Sequence, residues 1–350
     1  MSHHTGRGPT TTRPDPTAIA TAALLIPAVI LMVAGSAAAA ETAPRKTAAP
    51  AKTAGPAVSI VPQARASSNY SNEVRLRIAN NDVSYEAPPA YQESFAFWTN
   101  RLKGSSRAEM YRFLTTTAAA KDDGTVPFRR LLPRFNLEME FGGQIQVPLG
   151  SLEKVVTSQV WTGVMDRQGN VKELKRLQGS DSPDLEQLAL PHIEAVFPSL
   201  DGPRELRPGE AFSDVASLPL PSKLTIGGLE NVRMLVARDY ILKEKRGGLA
   251  IFEVKTTYAS DPASPPTAPG TTCAISGGGD GEATFDLAGG YFLGTRSDSV
   301  LRIAIEAPLR PLPDHPETVE GVGHATTRLV IALQLSATQT VASWAGTTED

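Results

Sequence analysis

One cysteine, Cys273, stands in 350 residues, which excludes an intramolecular disulfide framework and any zinc site built from more than one thiolate of this chain. Histidine is almost as scarce. Of five, only His192, His315 and His324 lie beyond residue 40. His192 falls in a helical stretch and His315 in a Pro-rich loop, and neither a G-x-S-x-G nor an H-E-x-x-H motif occurs. Acyl transfer on a histidine base and zinc hydrolysis therefore lack their usual residues. Excess charge of one sign is missing too: 34 Lys and Arg face 37 Asp and Glu, for a net charge of −3. A balanced chain of pI about 6.0 has no electrostatic footprint for nucleic acid.

What is present begins with an address. Ala18 to Ala40 is uncharged, rich in Ala, Leu, Ile and Val, preceded by Arg7 and Arg13, and closed by Ala38-Ala39-Ala40 before Glu41. A basic front, an apolar middle and small residues before the cut define a secretory signal peptide. Residues 1–40 are accordingly expected to be removed by cleavage after Ala40, touching the membrane only transiently. An uncleaved anchor is the competing reading, since the run is long enough to cross a bilayer of about 30 Å; Pro27 and the Ala-rich end argue against it. No cysteine follows the run, so lipidation there is excluded. Residues 41–66 are dominated by Ala, Pro, Lys and Thr with little to bury, as expected of a disordered linker.

Beyond residue 66 apolar side chains recur with a period of two, as in Val74, Leu76, Ile78 and in Phe135, Leu137, Met139, Phe141, so one face of each strand is buried and the other wet. Strands are further predicted over 155–166, 170–178, 232–244, 248–259, 281–288, 290–297, 299–306 and 325–336. Ser106 to Glu109 offers a helix capping box, but the β-branched and aromatic run Tyr111–Thr117 favours a strand. Two strand–turn–strand signals, around Asp166-Arg167-Gln168-Gly169 and Asp286-Leu287-Ala288-Gly289, combine an Asp that caps its own turn with a Gly free to take positive φ. The fold class is mainly β: two curved antiparallel β units, a candidate pseudo-repeat, with one short helix between them. The boundaries are 67–183 for the first unit, 184–209 for a helical connector carrying Leu185, Leu188, Ile193 and Val196, and 210–340 for the second unit. Residues 341–350 should fray. Pro-rich loops are expected over 259–272 and 307–323.

Candidate chemistry is thin. Gly277-Gly278-Gly279-Asp280-Gly281 lacks the Lys and hydroxyl of a phosphate loop and the tandem copies of a calcium roll, and is expected to be a flexible lead-in to a strand. Glu138 and Glu140 share an outward strand face. Cys273 is expected to be a buried, inert thiol, with a reactive thiol as the alternative. No catalytic, cofactor-binding or metal-ligating residue is singled out, and no cofactor is expected.

A helix ending at Phe197-Pro198, then Leu206-Arg207-Pro208-Gly209-Glu210-Ala211-Phe212, then Gly279-x-Gly281-x-Ala283-x-Phe285-Asp286-x-x-x-Gly290 resembles a broad group of exported bacterial β-rich proteins of unknown function. The likeness covers roughly residues 185–306, with Phe212 where that pattern often has Trp. It implies an extracytoplasmic, non-enzymatic protein of curved-sheet architecture, secreted or periplasmic. The expected partner is an apolar ligand, housed where a half-open sheet meets a helix, or a cell-envelope component. Rival readings are a secreted hydrolase of unfamiliar type using carboxylates or Cys273, and a signal-anchored envelope structural protein.

Overall fold

The computed structural model describes residues 55–141, 144–146, 150–179, 197–219, 232–264, 267, 269–309 and 323–341. The leader and the apolar part of the connector, 184–196, lie outside them. The described chain is mainly β, as the alternation predicts. The strands are β1 (Val58–Ile60), β2 (Asn69–Glu86), β3 (Ser106–Thr117), β4 (Val126–Phe141), β5 (Gln144–Gln146), β6 (Val160–Met165), β7 (Val171–Gln178), β8 (Arg204–Leu206), β9 (Ala211–Pro219), β10 (Arg233–Arg246), β11 (Leu249–Ser260), β12 (Thr272–Asp286), β13 (Tyr291–Pro308) and β14 (His324–Val341); the helices are α1 (Pro89–Leu102) and α2 (Gly150–Thr157). One twelve-stranded antiparallel sheet runs β7-β6-β4-β3-β2-β14-β13-β12-β11-β10-β9, with β5 added to β4, while β1 and β8 form a separate pair. The last strand joins the first long one, Leu335 standing opposite Leu76, so the expected two units are halves of one sheet.

The halves share a core. Val74, Leu76, Tyr111, Phe135 and Leu137 of the first half pack in one buried cluster with Met234, Val236, Ile275, Leu301 and Ile303 of the second. A second cluster joins Ile60 and Leu206 to Tyr240, Phe252, Phe285 and Phe292, and a small third one holds Tyr70, Phe128 and Met165. Burying a large apolar side chain contributes about 1.5–3 kcal/mol, so contacts across the halves hold the sheet curled.

The curl can be measured at the two Asp turns. Gln63 donates its backbone N–H to Gly290 O at 2.9 Å, and the next residue, Ala64, donates to Arg167 O at 2.8 Å. Those two carbonyls are therefore no more than about 10 Å apart. Yet β6 and β13, which lead into and out of these turns, are five strand positions apart, about 24 Å along a flat sheet. The sheet is rolled, and residues 61–65 are the strap that ties its turns together.

Several expectations change. The linker does not extend to residue 66: Val58 and Ile60 are buried, because β1 pairs with β8 over the second cluster. The described part of the connector, 197–209, is not helical; Arg204–Leu206 is strand. Residues 155–157, the start of the strand predicted over 155–166, belong instead to α2, which buries Val156 against the core and carries Glu153 in its first turn, where the helix dipole favours an acid. Strands 290–297 and 299–306 are one strand, since Ser297 and Asp298 stay in register with β14. Helix α1, opened by Pro89 as the first helical turn allows, was not foreseen.

The glycine run is not a flexible lead-in either, because it lies inside β12. A Cβ at Gly277, Gly279 or Gly281 would run into the backbone carbonyls of Val300, Asp298 or Arg296 on β13. Glycine is what lets the two strands approach this closely.

Candidate functional site

The curl gives the sheet an inner face, carrying Leu76 and Tyr111, and an outer face. A cavity of about 450 Å³ opens across β4, β3, β2, β14 and β13, lined mostly by residues of the outer face and also by Leu76, Glu109 and Leu335 of the core-facing set. Its floor consists of register rows. One runs Asn136, Met110, Arg75, Ser336, Arg296; the next runs Glu138, Ala108, Arg77, Gln334, Asp298. Strand alternation puts these side chains outward because Leu76, Leu137 and Leu335 between them pack on the core.

Beside the Arg75 row, and outside the lining of the trough, runs a row of Arg134, Arg112 and Glu73. Arg75 donates from Nε and Nη2 to Glu73 Oε1 at 2.9 and 2.7 Å, and Arg112 Nη2 donates to the other oxygen at 3.1 Å. The hydrogen bond from Arg75, then the charges of Arg75 and Arg112, hold the Glu73 carboxyl below the ordinary carboxylate range despite partial burial. Arg134 stands directly opposite Arg112 in the register. Across the trough, Asn136 Nδ2 donates to Glu138 Oε1 at 3.2 Å.

The inner face holds polar groups of a different kind. Arg107 is ion-paired with Glu109, both buried, and Tyr111 donates its hydroxyl to Glu109. In the other half Arg238 lies 3.8 Å from Asp214. Burial, chiefly, raises the Asp214 carboxyl, with Arg238 opposing and Asp201 assisting; burial pushes Tyr240 up to about 12 against the pull of Arg238. Glu109 and Asp214 each answer to their own arginine, an arrangement of internal neutralisation and not of two carboxylates facing one substrate bond. The interior positions nearby are taken by Tyr111, Tyr240, Phe252, Phe285 and Leu301, all nearly inaccessible.

Of the residues noted from sequence, Glu138 lines the trough, whereas Cys273 lies in β12, half-buried against the shared core. Burial pushes its thiol up to about 11, so it is protonated at neutral pH. His324 begins β14, while His192 and His315 fall outside the described residues. Among the described residues no three His, Cys, Asp or Glu side chains are placed to hold a metal ion, and no helix is long and apolar enough to cross a membrane. The trough arginines were missed by sequence reasoning, because they come from strands up to 221 residues apart, Arg75 to Arg296; the alternation Arg75-Leu76-Arg77 was their only local trace.

No family model and no curated protein matches the chain. Among solved structures it is similar to the outer membrane protein OprG from Pseudomonas aeruginosa, at 9% identity over 80% of this chain and 99% of that one, with a TM-score of 0.20. The secretin InvG of the Salmonella SPI-1 type III secretion injectisome gives 8% identity over 81% and 61%, at 0.13. The TodX monoaromatic hydrocarbon channel gives 8% over 79% and 91%, also at 0.13. At such scores neither a shared fold nor a shared function follows.

Proposed function

We propose that this chain is an exported, non-enzymatic bacterial protein that binds a cell-envelope component along the outer trough of its rolled sheet. The leader sequence ending at Ala40 supports export, and the turn and packing motifs from Phe197 to Gly290 support membership of the exported β-rich group they resemble. The observation that carries the binding reading is the trough itself. A concave face of about 450 Å³ crosses five strands and gathers polar and charged groups from both ends of the chain. The apolar interior, by contrast, is filled by the protein's own side chains from both halves, which favours an envelope partner over a carried apolar ligand.

Occupancy in the cell tests this. Gln334→Cys, in a Cys273→Ala background, places one thiol in the trough; Lys245→Cys places one on an exposed strand end outside it. The proposal expects the Gln334→Cys thiol to react with a membrane-impermeant maleimide more slowly in the intact envelope than in the purified protein. Lys245→Cys should react alike in both. Equal labelling of both positions in both settings would refute occupancy of the trough.

A further inference from the structure

We infer that the occupant of the trough is an uncharged polysaccharide chain of the cell envelope, an inference that rests on the proposed role of the trough. Charge is the first ground. Arg75, Arg77 and Arg296 line it against Glu109, Glu138 and Asp298, so the lining has no net sign. Arg75 is engaged by Glu73 and Glu109 by Arg107, which leaves Arg77 and Arg296 against Glu138 and Asp298, still in balance. A polymer of either sign also meets repulsion at a border. Arg112 and Arg134 flank the Arg75 row, while Asp280 and Glu282 stand past the β13 end, opposite Asp298 and Arg296.

Residue type is the second ground. Along one row lie Arg77, which donates, Gln334, which donates and accepts, and Asp298, which accepts. A sugar hydroxyl does both at once, so a chain of hydroxyls finds a partner at each position without bringing a charge. Met110 and Ala108 on β3 add an apolar strip for the C–H face of a ring. Shape is the third ground. β4, β2, β14 and β13 each send two polar residues, two positions apart, into the floor. Neighbouring strands lie about 4.8 Å apart, close to the advance of one sugar unit in an extended chain, so a chain laid across them meets a fresh polar pair at nearly every unit. An extended peptide lacks that match, because the main chains of these strands are paired with one another and offer it no edge to join.

The host envelope supplies the probes. Phenol–water extraction, with anion exchange of the aqueous phase, separates neutral polysaccharide, acidic polysaccharide and protein. At about ten times its half-saturating concentration, the neutral fraction should slow maleimide labelling of purified Gln334→Cys by about tenfold and leave Lys245→Cys unchanged. Affinity of the unsubstituted protein for that fraction on a sensor surface should change less than about twofold between about 50 and 200 mM salt, since a neutral chain leaves nothing for salt to screen. Arg77→Ala and Asp298→Ala should each weaken it about fivefold or more, the scale of a lost hydrogen bond to a charged group. A charged ligand would answer those two substitutions with opposite signs. Arg302→Ala, exposed on β13 outside the lining, should change affinity less than about twofold, as expected of a distant screened charge. Unchanged thermal unfolding of each variant confirms an intact sheet.

Protection by the acidic or the protein fraction alone would overturn the inference, as would opposite effects of Arg77→Ala and Asp298→Ala or an equal loss in Arg302→Ala. Gln334→Cys protected in cells but by none of the three fractions would remove the polysaccharide and leave the trough occupied. Absence of protection in cells would remove the trough reading itself.

Discussion

The guanidinium of Arg65 lies over the ring of Tyr291, 3.0 Å from its centroid, and thereby locks the strap of residues 61–65 onto the β12–β13 turn. Tyr70 flanks it at 5.1 Å. Its three nitrogens are buried and find no hydrogen-bond partner among the described residues, and burial lowers its pKa to about 10 against the attraction of Tyr70 and Asp286. The aromatic faces thus supply what a hydrogen-bond acceptor normally would.

Two substitutions separate the packing of this side chain from its charge. Arg65→Ala should lower stability by about 1–2 kcal/mol, the worth of a partly desolvated cation–π contact and the apolar stem. Arg65→Met, which keeps the stem and removes a buried charge without a hydrogen bond, should be neutral or stabilising. Urea unfolding of the two variants decides it, and equal losses would show that the charge itself holds the strap.

The first Asp turn predicts an acid-dependent stability. Asp166 Oδ1 accepts the backbone N–H groups of Gln168 and Asn170 at 3.0 and 2.9 Å, and Oδ2 accepts from Asn170 Nδ2 at 3.0 Å. Burial opposes its ionisation, but the Asn170 bonds and Lys172 outweigh burial and hold the carboxyl below its ordinary range. A depressed folded-state pKa means that the stabilisation is complete above the ordinary Asp value near about pH 4, and is lost as pH falls through the lower folded value. Asp166→Ala should cost about 2 kcal/mol at pH 7, the scale of charged-acceptor hydrogen bonds, and should flatten the acid limb of the stability curve. Unfolding curves from pH 7 to pH 2 measure both effects.

Gly279 should tolerate no side chain. A Cβ there would meet the carbonyl of Asp298 and the backbone of Ser299, so Gly279→Val should destabilise by about 3 kcal/mol or abolish soluble expression, as overpacking against immovable backbone does. Gly248, in the β10–β11 turn, has open space at its Cβ and no positive φ, and Gly248→Ala should unfold within about 0.5 kcal/mol of the unsubstituted chain.

Cys273 should be slow to alkylate. With its thiol pushed up to about 11 by burial, iodoacetamide at pH 8 should modify the folded protein far more slowly than the urea-unfolded one, where an ordinary thiol pKa of about 8.5 applies. Equal rates would return the thiol to consideration as a nucleophile.

The alternation of Val74, Leu76 and Ile78 made β2 legible, as Phe135, Leu137 and Met139 did β4, since a two-faced sheet writes its period directly into the chain. The Asp166 and Asp286 turns were equally plain, because their capping bonds are local. What escaped was set by long-range partners. Ile60 looks like part of an unstructured tether until Leu206 is found packed with it, and Gly279 looks like a loop until the Asp298 carbonyl is seen against it. The trough was illegible for the same reason: Arg77 and Asp298 share a row through Gln334, the only member that touches both in register, and nothing near Arg77 in sequence announces the other two.

The central claim is that binding takes place on the outer trough and that the interior belongs to the protein's own side chains. Native mass spectrometry of the exported protein purified from its host, before and after chloroform–methanol extraction, tests it most directly. The account predicts the mass of residues 41–350 with no adduct that extraction removes. A reproducible excess mass that passes into the organic phase would contradict it and make the rolled sheet a carrier.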